Sequence, residues 1–235
     1  MAKKKKTVTT VTTTTTETVV TDEKTHIICV LDRSGSMSGM MKDSIGGFNT
    51  FLQQQRELPD EATITVALFD DKYELLYDNV DIKEVRDITD KEWFPRGTTA
   101  LYDAIGKTIN NDKALIKKMK KKDRPNKVLV CVVTDGYENA SKEFNLDNIK
   151  TLISDCEKDD WNFIYLAANQ DAFDVGQGFG ISGSNTYTYT ATVDGVANMS
   201  ATLNDATVMY RSMSTTDANF NTASKSLIDS DDNEE

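Results

Sequence analysis

Histidine is almost missing from this sequence: His26 is the single one in 235 residues. That removes most of the case for acid–base catalysis near neutral pH, where imidazole is the usual proton carrier. Cysteine is scarce and odd in number, three in all. Cys29 and Cys131 fall inside apolar runs, Cys156 falls on a helical pattern, and no paired spacing joins them. A disulfide framework is excluded; three small buried hydrophobes in a reducing cytosol are expected. No apolar run approaches the ~18 residues of a membrane helix. The lysines at 3–6 are not followed by an apolar segment, so the start does not read as a secretory signal. Positive charge is also in deficit: 27 Lys and Arg against 38 Asp and Glu give a net charge of −11. With so little to neutralise phosphates, neither nucleic acid nor a membrane is the expected partner.

What is present divides into a core and two tails. Residues 1–23 are four lysines and a Thr/Val tract with no turn punctuation, read as a disordered tail that could add a strand to a partner's sheet. Residues 24–214 carry the patterned core. Residues 215–235 turn polar and then acidic, a second tail. Nothing in the sequence predicts the oligomeric state.

Within the core, short apolar runs alternate with helical periodicity. Residues 26–31 form a continuous apolar run, as in a strand buried on both faces. Met41, Ile45, Phe48 and Leu52 then mark one face of a helix, which Pro59 closes. Residues 63–69 and 73–80 read as strands, joined by Asp70, Asp71 and Lys72 as an antiparallel hairpin at a sheet edge. Leu101, Ile105, Ile109, Ile116 and Met119 give a long helix whose terminal lysines, 117–122, suit its dipole. Residues 127–133 are the most apolar strand. Leu146, Ile149, Ile153 and Cys156 mark the next helix, and residues 161–167 the next strand. Residues 187–191 read as a short strand or an extended loop. Val196, Met199, Leu203, Ala206, Tyr210 and Met213 form a last helical face, read as core. The alternation predicts an α/β fold: a doubly wound, mostly parallel sheet with one antiparallel edge strand and helices on both faces. The glycines at 176, 178, 180 and 183 do not form a dinucleotide fingerprint, because they do not follow the first strand.

Three stretches offer oxygen ligands. Asp32, Ser34 and Ser36 follow the first strand, Thr98 and Thr99 lie in a loop opened by Gly97, and Asp135 follows the strand 127–133. In a doubly wound sheet, loops leaving the carboxyl ends of the strands converge on one crevice. Two carboxylates with three hydroxyls and waters suit a hard divalent cation, magnesium or manganese. Each stretch alone could be a helix cap or a turn; their joint occurrence in this order is what points to a site. Arg33 and Met37 are expected around its rim, where they could select a partner. Tyr137, Glu138 and Asn139 are expected to line the same face, Trp93 and Phe94 to form a hydrophobic plug, and Asp70 and Asp71 to be turn chemistry only.

These residues resemble the metal-ion-dependent adhesion site of von Willebrand factor type A domains. Asp32, Ser34 and Ser36 meet its Asp-x-Ser-x-Ser motif in full. The run Gly97-Thr98-Thr99-Ala100-Leu101-Tyr102-Asp103 is similar to the bacterial and phage form of its second motif, in which Thr99 stands at the ligand position. Asp135 stands at the third. The likeness covers about residues 25–213 and includes the run 166–172, Leu-Ala-Ala-Asn-Gln-Asp-Ala. It implies that Ser34, Ser36 and Thr99 offer hydroxyls while Asp32 and Asp135 act directly or through water. It also implies a coordination position left for an Asp or Glu of a partner protein. The expected function is then cation-dependent protein binding in the cytoplasm, without catalysis. The alternatives are a structural component of a phage-like or other large assembly, including a virion, and a metal-dependent hydrolase. A hydrolase built on Asp32 would want a second acid two residues on, where Ser34 stands.

Overall fold

The computed structural model describes residues 23–168, 172–215 and 220. Both expected tails, apart from Glu23, Thr215 and Phe220, lie outside the described residues, as do positions 169–171 of the resemblance. Along the chain the strands are β1 (Thr25–Asp32), β2 (Ala62–Phe69), β3 (Tyr73–Asp81), β4 (Lys127–Thr134), β5 (Trp161–Ala168) and β6 (Thr186–Tyr189). The α-helices are α1 (Met41–Glu57), α2 (Leu101–Lys118), α3 (Leu146–Glu157), α4 (Ala172–Phe179) and α5 (Val193–Ser212). One six-stranded sheet runs in the order β3-β2-β1-β4-β5-β6. All neighbours pair in parallel except β2 and β3, the antiparallel hairpin at one edge.

Alternation along the central strands divides the interior into two cores. Ile27, Cys29 and Leu31 of β1 face α1 and α5, together with Leu129, Cys131 and Val133 of β4. Ile28 and Val30 face the other layer with Val128, Val130 and Val132, against Leu101, Ile105 and Ile109 of α2 and Ile149 and Ile153 of α3. Every residue of β1 and of β4 is buried, which is why both read as unbroken apolar runs rather than as alternating ones. All three cysteines are free and buried, as expected. The predicted α5 stripe is core: Val196, Met199, Leu203, Ala206 and Tyr210 are buried. Among the described residues no helix is long and apolar enough to cross a membrane.

Local capping explains several boundaries. Asn145 and Asn148 form a reciprocal capping box at the start of α3, and Thr192 accepts from the Gly195 amide at the start of α5. Helix α4 has no counterpart in the periodicity. Gly176 and Gly178 are poor helix formers, but a side chain at Gly176 would run into Thr186, its Cβ only 2.2 Å from the methyl. Close packing against β6 requires the glycine that hides the helix. Of residues 187–191, the first three belong to the parallel edge strand β6, which ends at Tyr189, and the last two leave the sheet.

The sheet order fixes where a ligand can sit. From β1 the chain moves outward to β2 and β3, then returns through α2 to place β4 on the other side of β1. Connections diverge between β1 and β4, so the crevice lies at their carboxyl ends. Asp32 is the last residue of β1 and Asp135 directly follows β4.

Candidate metal centre

Asp32 is fully buried and held on both oxygens. Its Oδ1 accepts from the Ser34 amide at 2.6 Å and its Oδ2 from the Thr134 hydroxyl at 2.6 Å. Its backbone carbonyl accepts from the Trp93 indole at 2.9 Å. Burial raises the Asp32 carboxyl to about 6; these hydrogen bonds oppose the rise, and the nearby charge of Asp135 adds to it. Trp93 is buried, as a plug should be. Phe94 is 39% exposed, so that half of the expectation is corrected: its ring stacks against the Arg96 guanidinium at the surface.

After Asp32 the chain bends into a single-turn helix, Gly35–Gly39, that runs on into α1. The bend turns both serine hydroxyls toward β4. Ser34 Oγ lies 2.9 Å from Ser36 Oγ, and Ser36 donates to Asp135 Oδ1 at 2.6 Å. Asp135 Oδ2 is buried and has no hydrogen-bond partner. Burial raises this carboxyl too, against hydrogen bonds from Ser36 and Ser34. Thr99 is buried while Thr98 is exposed. A Cβ added at Gly136 would meet Thr99 Oγ1 at 3.0 Å and Ser36 Oγ at 3.5 Å, so both hydroxyls border the space above that glycine. The five residues expected from the sequence are thus brought together: Asp32, Ser34, Ser36 and Asp135 by hydrogen bonds, Thr99 by proximity.

The donor set fits a hard cation. It is all oxygen, and it leaves a buried carboxylate oxygen without a partner, a costly arrangement unless a cation or a proton satisfies it. Among the described residues no group of three or more His, Cys, Asp or Glu gathers as a metal cluster. The candidate donors are therefore two carboxylates supplemented by hydroxyls.

Other side chains support the crevice without having been foreseen. Tyr189 of β6 is buried and donates to the Thr134 carbonyl at 3.2 Å; burial, then the charges of Asp135 and Asp32, push its hydroxyl well up. Beyond Asp135, the loop folds onto the start of α2. Asn139 exchanges bonds with Thr99, its amide donating to the Thr99 carbonyl at 3.0 Å and its Oδ1 accepting from the Thr99 amide at 2.9 Å. Glu138 accepts from the Tyr102 amide at 2.9 Å, and Asp103 accepts from the amides of Lys142, Glu143 and Phe144. Of the three residues expected to line the face, Tyr137 (60% exposed) and Asn139 both reach the surface, and Glu138 is half-buried. Asn139 also fastens the Thr99 loop, while Glu138 ties its own loop to the first turn of α2.

Arg33 and Met37 require a correction. Neither reaches the rim: both are fully buried. Met37 belongs to the core beneath α1 and α5. Arg33 turns toward the β2–β3 hairpin, with Nη1 2.8 Å from Glu74 Oε2 and Nε 3.4 Å from Asp70 Oδ2. A central arginine inside a surface motif gives no sequence signal of burial, because its acidic partners lie on another element. His26 is a buried packing residue at the far end of β1. Its Nε2 is 2.8 Å from Asp112 Oδ1 and its Nδ1 2.8 Å from Thr63 Oγ1.

No family model matches the sequence, and no curated protein does. Solved structures do match. Proximal thread matrix protein 1 from the mussel byssus, in a form with a zinc-occupied MIDAS motif, aligns with a TM-score of 0.52 at 16% identity, over 80% of this chain and 47% of that one. The vWF domain of the type V pili tip protein Mfa5 from Porphyromonas gingivalis gives 0.52 at 9% identity, over 78% and 96%. Manganese-loaded TRAP protein of Plasmodium vivax gives 0.51 at 16% identity, over 77% and 73%. The chain spans about half the length of the byssus protein. At such identities the likeness is one of fold.

Proposed function

We propose, from the premise that this chain has the von Willebrand factor type A fold, that it is a non-catalytic protein-binding domain dependent on a divalent cation. The observation that carries this reading is the unpartnered, buried Oδ2 of Asp135, on a carboxylate whose other oxygen is bound by Ser36, with the Ser34 hydroxyl beside Ser36 and the Thr99 hydroxyl across the space above Gly136. Ser34, Ser36 and Thr99 would hold the ion through hydroxyl oxygens, and Asp32 and Asp135 directly or through water. Magnesium or manganese is the ion this oxygen set suits. When bound, the cation supplies an electrophilic position for a carboxylate oxygen from an Asp or Glu of the partner. Three neutral donors leave more of the ion's charge uncompensated than carboxylates would, which favours an anionic sixth ligand. A zinc-occupied MIDAS motif in one protein of similar fold and the manganese-loaded state of another support cation binding.

Two features favour binding over hydrolysis. The Ser34 amide, not a second acid, faces Asp32. The single histidine is committed to Asp112 and Thr63 at the other end of β1. The deciding experiment is a pull-down from the native source with magnesium, repeated with a chelator and with Asp32→Ala. Capture should need both the metal and Asp32; capture indifferent to both rejects the reading. Recovery of a particle's structural protein would put the same chemistry inside a large assembly.

A further inference from the structure

Asp70, the turn residue after β2, is completely buried, which an ordinary hairpin aspartate is not. Its backbone and side chain reach both motif loops. The Asp70 carbonyl accepts from the Ala100 amide at 2.9 Å, one residue beyond Thr99. Its Oδ2 pairs with Arg33, which stands between Asp32 and Ser34, and with the Arg96 guanidinium just before Gly97. Its Oδ1 accepts from the Lys72 amide at 2.6 Å, which fixes the carboxylate on the turn. Glu74 completes the cluster, 2.8 Å from Arg33 Nη1 and 4.0 Å from Arg96 Nη2.

Backbone bonds tie the two loops at the same place. The Arg96 amide donates to the Arg33 carbonyl at 2.8 Å, and the Gly35 amide to the Gly97 carbonyl at 3.2 Å. Gly97 has φ of 65°, and a Cβ there would lie 2.1 Å from Asp71 Oδ1, so the hairpin tip presses directly on the threonine loop. Two arginines of like charge lie together only because two carboxylates stand between them. Asp70 is the one fully buried acid of the pair, and so the one whose field is least weakened by water.

We infer that Asp70 is a positioning residue: through Arg33 and Arg96 it sets the Asp32–Ser36 loop and the Thr99 loop relative to one another. The role of those loops as ligand loops rests on the proposed function; the coupling between them does not. Asp135 is outside this cluster, so Asp70 governs two of the three motifs.

The test is amide hydrogen exchange and manganese titration calorimetry on the full chain, comparing wild type with Asp70→Asn and Arg96→Gln. In Asp70→Asn the amides of Arg33, Gly35, Arg96 and Ala100 should exchange faster together, by about tenfold or more, while those of central β4 keep their protection. Manganese affinity of the folded protein should fall by about tenfold or more, the usual scale for losing an outer-shell support. In Arg96→Gln, which leaves Arg33 paired, the amides of Arg96 and Ala100 should loosen while that of Arg33 stays protected. If Asp70→Asn fails to fold, the Arg96→Gln pattern decides. A lowered melting temperature with unchanged manganese affinity and unchanged exchange at both loops makes Asp70 merely structural and overturns the inference. Absence of manganese binding by the wild type would sink the proposed function, and the exchange pattern would still decide the coupling.

Discussion

The Ser36 hydroxyl donates to the Asp135 carboxylate across 2.6 Å, although 99 residues separate them in the chain. The bond joins the loop after β1 to the loop after β4, and it occupies only one of the two carboxylate oxygens.

Asp32 gives a pH signature. An unfolded aspartate releases its proton near 4, whereas burial holds the native Asp32 carboxyl up to about 6. Between these values the native state carries more protons than the unfolded one, so metal-free stability falls as pH rises through 6. The penalty above pH 6 is on the order of 3 kcal/mol. Melting curves in chelator should therefore show Asp32→Asn gaining on the wild type from pH 5 to pH 7. Magnesium should raise the wild-type melting temperature at pH 7 and leave the variant unmoved. A constant gap between the two across that range would refute the assignment.

Adjacent threonines should behave differently. Thr99 is buried beside Ser36 and Gly136, while Thr98 faces solvent. Thr99→Ala should weaken magnesium binding about tenfold or more, and Thr98→Ala should leave it within about twofold. Equal effects in calorimetry would mean that the loop, not one hydroxyl, matters.

Adding an atom should silence the site as well as removing one. An alanine at Gly136 would put its methyl 3.0 Å from Thr99 Oγ1 and 3.5 Å from Ser36 Oγ. Gly136→Ala is expected to cost at least tenfold in metal affinity and about 1–2 kcal/mol in stability, since the Thr99 side chain must give way to the methyl. Urea melts and calorimetry on the same preparation separate the two quantities.

The far end of the sheet provides the contrast. Asp112 accepts from Thr65 at 2.9 Å and pairs with His26, all of them buried. Asp112→Ala leaves His26 Nε2 only the longer 3.4 Å contact to Thr65 Oγ1 and should cost about 2–4 kcal/mol in urea denaturation. Metal affinity should not change, because nothing in this network touches the crevice.

Much of this was legible in the sequence, for identifiable reasons. The central strands read correctly because β1 and β4 are buried on both faces and so are apolar throughout. The carboxylates Asp32 and Asp135 stood out because they interrupt such runs. The fates of Arg33 and Asp70 were not legible: a buried charge depends on what folds over it, and the hairpin is remote from the motif in sequence. Helix α4 was hidden by Gly176, chosen for contact with Thr186 rather than for helicity. Leu146 and Phe94 look apolar in pattern yet stand 39% exposed each. Periodicity reports a face and not how completely a neighbour covers it.

The adjacency of β1 and β4 also has a consequence for the order of events during synthesis. Four of the five oxygen donors are made before β4, yet β1 acquires its second neighbour only when residues 127–134 have emerged and paired. A nascent chain stopped short of that strand holds Asp32, Ser34, Ser36 and Thr99 without a crevice between them. Long-range parallel pairing of this kind is a slow step in folding. Cation affinity would accordingly be gained late and all at once, making the ion a reporter of the finished fold rather than a nucleus for it.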